Sequence, residues 1–132
     1  MHGGMVPTTT VNTSVEKLGK ISQGIMDEKV WMISKNFDPN IIKYTEDVFE
    51  QVNMAHLAWP SENAVDMVNI AIEKLSALVS FLDDKSIKAS NSKETRQHIA
   101  ELYSLAGDLA YIIGADVTGE NLKYNADAVR NE

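Results

Sequence analysis

Three histidines and a surplus of carboxylates are the side chains with the most chemistry to offer: His2, His56 and His98, and 19 Asp and Glu against 12 Lys and Arg. A helical bundle that holds two metal ions does so with inward Glu residues and Glu-x-x-His pairs, whose spacing puts both ligands on one helix face. Asn53 and Thr95 stand three residues before His56 and His98, and no residue stands there for His2. The ligand set therefore excludes a di-iron centre. There is no cysteine, which removes disulfides, thiolate zinc sites and cysteine nucleophiles. No Gly-x-Ser-x-Gly elbow occurs to present an activated serine.

The carboxylates support one enzymatic alternative. Magnesium-dependent, all-helical nucleotide pyrophosphohydrolases gather acids on facing helices, because an oxygen-rich, negatively charged site holds Mg²⁺ against a triphosphate. Glu62 and Asp66 are four residues apart and Glu101 and Asp108 seven apart, spacings that keep each pair on one helix face. The dense Glu-Glu-x-x-Glu cluster such a site needs is missing, so a solvated acidic face is the simpler account. Asp108 stands out among these acids, since Leu105, Ala106, Leu109 and Ile112 surround it in sequence. It reads either as a metal ligand or as a boundary acid paired with a cation from a neighbouring helix.

A second alternative is a small anion, such as a nucleotide, bound without turnover. Lys88, Lys93, Arg96 and His98 fall in a stretch, residues 85–98, where four cations face one acid. That patch lies at a helix start, whose free N–H groups favour negative charge. No glycine-rich phosphate loop accompanies it. His56, beside the apolar position Ala55 and near Trp59, reads as a histidine at the edge of a core.

The elements that must position these groups are all helical. Thr13 and Glu16 have the form of a capping box, and Val15, Leu18, Ile21, Ile25, Met32 and Ile33 follow at helical spacing, which predicts a helix over 14–36. Asp38-Pro39 supplies an N-cap and a first-turn proline. Ile41, Thr45, Val48, Val52, Ala55 and Trp59 then step by four and three up to Pro60. Ser61 caps a third helix with Val65, Val68, Ile72, Leu75, Val79 and Leu82 in the same rhythm. A polar connection through 83–92 leads to a fourth helix carrying Ile99, Leu102, Leu105, Ala106, Leu109, Ile112 and Ile113, which ends near Gly114. Thr118-Gly119 opens a last amphipathic piece with Leu122, Ala126 and Val129. No period-two run or Asn-Gly or Asp-Gly turn argues for a strand. Short connections force antiparallel neighbours. The expected fold is an all-α, up-down-up-down four-helix bundle, residues 13–132, with a short fifth helix and a mobile arm over 1–12.

Composition narrows the functions such a bundle can serve. At 132 residues, 44% hydrophobic and 23% charged, the chain is the size and make-up of one globular domain. A net charge of −7 disfavours a nucleic-acid or anionic-membrane surface, because both require clustered cations. No run approaches the 18 apolar residues that would span a bilayer, and a cytoplasmic location follows as the default. Residues 37–60 hold one lysine against four acids, net −3, and residues 61–84 one lysine against five, net −4. Trp31, Met32 and Ile33 follow Val30 directly, and a helix apolar all round needs contact on more than one side. The leading expectation is a non-catalytic bundle without a cofactor, acting through self-association or a protein partner. Its contact would be built from Trp31, Met32 and Ile33, with Tyr111 adding a further apolar face.

Overall fold

A computed structural model describes residues 8–84 and 93–132, and every element in it is a helix: α1 Thr8–Ser34, α2 Pro39–Ala58, α3 Glu62–Asp84, α4 Lys93–Ile112 and α5 Asp116–Arg130. Helix α1 packs on α2 and α4, and α3 packs on the same two, so the first four helices close a ring around one core. The most extensive contact joins α4 to α5, which makes α5 an outer layer on α4.

Apolar periodicity accounts for this arrangement. Thr45, Val48, Val52 and Ala55 bury the inner stripe of α2. Val68, Ala71, Ile72, Leu75, Leu78, Val79 and Leu82 do the same for α3, and Ile99, Leu102, Leu105, Ala106 and Leu109 for α4. Leu18, Ile21, Ile25 and Met32 complete the ring from α1. Thr45 tolerates full burial because its hydroxyl donates to the Ile41 carbonyl at 2.9 Å, leaving no orphaned polar group. Val65, expected in the α3 seam, is 37% exposed, and its neighbour Ala64 is buried instead.

Helix ends follow local chemistry. Asp38 caps α2, its carboxylate accepting from the Asn40 N–H at 2.8 Å with Pro39 at the first position. Helix α1 ends in a Schellman turn. Phe37 N–H donates to the Met32 carbonyl at 3.0 Å, Asn36 N–H donates to the Ile33 carbonyl at 3.1 Å, and Asn36 has φ +58°. Asparagine is among the few non-glycine residues that adopt this left-handed conformation readily. Helix α4 ends the same way at Gly114, φ +76°, with Ala115 N–H on the Ala110 carbonyl at 2.9 Å.

Both ends of α1 (Thr8 and Ser34 against an expected 14 and 36), the end of α3 (Asp84) and the start of α5 differ from the sequence expectation. Helix α1 begins at Thr8, so Thr13 is interior and no capping box forms there. Residues 8–12 thus belong to the helix rather than to the arm, whose residues 1–7 lie outside those described. Helix α5 begins at Asp116, so Gly119 lies within it rather than opening it. Close approach explains that glycine. A Cβ at Gly119 would stand 2.9 Å from the Tyr111 ring, and one at Gly107 would stand 3.2 Å from the Gly119 carbonyl oxygen.

Candidate functional site

A set of polar and aromatic groups meets where the C-terminal part of α1 approaches the start of α4. Helical spacing places Glu28 and Trp31 on one face of α1, with Lys35 in the turn just beyond its end, and Glu94 and His98 on one face of α4. The Schellman turn folds Phe37 back against Trp31, ring centroids 5.0 Å apart and edge-on. The imidazole of His98 stacks on the Trp31 indole at 4.0 Å with 11° between the planes. The Trp31 N–H donates to Glu94 Oε1 at 3.0 Å, and Lys35 stands 3.5 Å from the other oxygen. His98 Nδ1 lies 2.7 Å from Glu28 Oε1.

Electrostatics differ sharply between the two carboxylates. Glu28 is buried, and loss of hydration pushes its carboxyl above the ordinary range, partly opposed by the hydrogen bond and charge of His98. Glu94 lies at the surface. The Trp31 hydrogen bond and the Lys35 charge hold it below the ordinary range. Glu46 on α2 is held low in the same way by its hydrogen bond and ion pair with Lys29 of α1, 2.6 Å away.

A carboxylate fixing one histidine nitrogen is the orienting half of many acid–base sites. Among the described residues, however, His98 has no hydrogen-bond partner besides Glu28. One face of its ring is covered by Trp31. Chemically, the group is a clip that joins α1 to α4.

The residues singled out by sequence are scattered over the fold, and His2 lies outside the described residues. Trp31 and Met32 are buried in the chain's own core, so the apolar run of α1 divides between inside and outside, leaving Val30 and Ile33 exposed. Tyr111 is 40% exposed on α4. Lys93, Arg96 and His98 do not converge. Arg96 and His98 point about 200° apart around α4 at 3.6 residues per turn, and His98 is engaged with α1. Lys88 lies outside the described residues. Glu62, Asp66 and Glu101 are exposed, and Asp108 is ion-paired with Lys123 of α5 at 2.6 Å. Among the described residues no group of three or more His, Asp or Glu could hold a metal ion. His56 sits over Gly19 on α1, half-buried at the edge of the core.

Two surface features had no signal in the sequence. An apolar groove of about 280 Å³ lies between α2 and α3, lined by Asn40, Ile41, Tyr44, Ala77, Leu78 and Phe81. A more polar hollow of about 330 Å³ is bounded by Lys17, Lys20 and Ile21 of α1 and by Asp108 and Tyr111 of α4. Residues that meet across helices distant in sequence leave no local pattern to read.

No family model matches the chain, and no solved structure matches it. A stretch of 99 residues, 75% of the chain, is 30% identical to part of the "Probable cation-transporting ATPase 13A5" of Mus musculus. The chain spans only 8% of that protein's length. Among the described residues no helix is long and apolar enough to cross a membrane.

Proposed function

We propose that this protein is a non-catalytic helical bundle, with helices α1 to α4 running up-down-up-down, that works in the cytoplasm by binding a protein partner through the α2–α3 face. The groove between Tyr44 and Phe81 carries this reading. Its lining is almost wholly apolar, and the two rings remain 36% and 44% exposed. Exposed aromatic side chains around a concavity are the usual anchors of protein recognition.

Charge selects the kind of partner. The two segments that build this face carry −3 and −4, which together equal the net charge of the whole chain. A second copy presenting the same face would meet like charge, whereas a basic amphipathic segment would find complementary potential around an apolar slot. The occupant that fits is a Lys- or Arg-rich helix with a large apolar side chain to seat between Tyr44 and Phe81.

Titration with a Lys-rich amphipathic peptide bearing Leu and Trp on one face, combined with light scattering on the same sample, tests this. We expect saturable binding that weakens with salt and is lost in Phe81→Ser. A dimer that Phe81→Ser dissolves would place a second copy in the groove instead. A monodisperse monomer that ignores the peptide would overturn the association reading.

A further inference from the structure

The hollow between α1 and α4 shares no helix with the α2–α3 groove, and its chemistry is opposite. Lys17 and Lys20 form one wall, three residues apart and therefore on the same side of α1. Among the described residues neither makes a hydrogen bond or an ion pair, although Glu16 is one turn from Lys20. Facing them, Asp108 is already neutralised by Lys123, whose ammonium also donates to the Ser104 hydroxyl at 2.7 Å. The rim thus carries two uncompensated positive charges in a chain of net charge −7. Ile21 and the partly exposed Tyr111 ring supply flat apolar surface beside them. The ring's position is fixed from behind, because the bare backbone of Gly119 lets it lie where a Cβ would come within 2.9 Å.

We infer that this hollow is a binding site for a small phosphorylated compound with a planar ring, of which a nucleoside monophosphate is the type. Two ammonium groups on one helix side grip the phosphate. The planar ring stacks on Tyr111 over Ile21, as base–aromatic contacts do. A volume of about 330 Å³ is at the small end of the range for ligand sites, roughly 300–1,000 Å³, which suits one nucleotide and excludes a dinucleotide. No bond is made or broken.

Calorimetric titration with AMP, adenosine and inorganic phosphate separates the parts. AMP should bind more tightly than either fragment. The Lys17→Ala/Lys20→Ala variant should lose AMP about tenfold or more, and Tyr111→Leu should weaken AMP while leaving inorganic phosphate unchanged. A thermal melt confirms that the variants fold. Failure of AMP to bind the wild-type protein would overturn the inference, as would AMP binding that survives the double lysine variant. Peptide binding in the groove is unaffected by either result, so the two sites stand or fall separately.

Discussion

The α1–α4 clip and the α2–α3 groove each put aromatic rings at a seam between helices, yet one is closed and the other forms a groove. In the clip, Trp31 is 8% exposed and its N–H is satisfied by Glu94. His98 stacks on it and turns its Nδ1 to a buried carboxylate. In the groove, Tyr44 and Phe81 line an apolar cavity of about 280 Å³ together with Ile41, Ala77 and Leu78. A filled seam with satisfied polar groups stabilises the fold. An apolar groove on a net-negative surface is a place for something else to bind. Aromatic content alone does not separate the two; polar partners and packing do.

Truncating the clip should have the largest effect. Trp31→Ala removes a buried indole, its stack on His98 and its contact with Phe37, and should destabilise the protein by about 3–5 kcal/mol. Urea denaturation measures this directly. Trp31→Phe keeps most of the ring area but loses the bond to Glu94, for an expected cost of about 1 kcal/mol. Equal costs for the two would mean that Glu94, rather than packing, holds the seam.

Much of the ring of helices is legible in the chain because a heptad rhythm is local. Val48, Val52 and Ala55 of α2, and Leu75, Val79 and Leu82 of α3, are buried as their spacing requires. Asp38-Pro39 and Gly114 mark their helix ends through effects confined to one turn. Trp31 illustrates what spacing leaves open. Four successive apolar residues show that α1 has more than one buried side without saying which residue finds which partner. Its hydrogen-bond partner lies 63 residues away and that of His98 lies 70 away. Gly119 misleads for the related reason that a glycine needed for close helix packing has the same local appearance as one that breaks a helix. Lys17, Lys20 and Tyr111 carry no motif, since only the α1–α4 contact brings them together.

Breaking the groove should cost less stability than truncating the clip. Tyr44→Ser with Phe81→Ser removes rings that are already more than a third exposed, so the combined loss should stay near 1–2 kcal/mol by partial area burial. Binding of the basic peptide should disappear. A loss as large as that of Trp31→Ala would show that the groove is a structural seam like the clip.

The finest distinction lies within the clip, between its two carboxylates, and appears only as a function of pH. Glu28 is raised in the folded state, first by burial. Its contribution is therefore fully present below the ordinary carboxylate value and is lost as pH rises through the folded value. Glu94 is lowered, first by the Trp31 hydrogen bond. Its contribution is present above the ordinary value and is lost as pH falls through the folded one. Glu28→Gln keeps an acceptor for His98 but removes the buried charge, so its stability relative to wild type should improve from pH 4 towards pH 7. Glu94→Gln should gain relative to wild type in the opposite direction, as pH falls below about 4. Urea midpoints across this range should give two difference curves of opposite slope. Parallel slopes would mean that the ion pair with His98, rather than burial, governs Glu28. In that case His98→Asn would reverse the slope of the Glu28 curve, because burial and the neighbouring Glu101 and Asp27 charges, all of which raise the carboxyl, would then act unopposed.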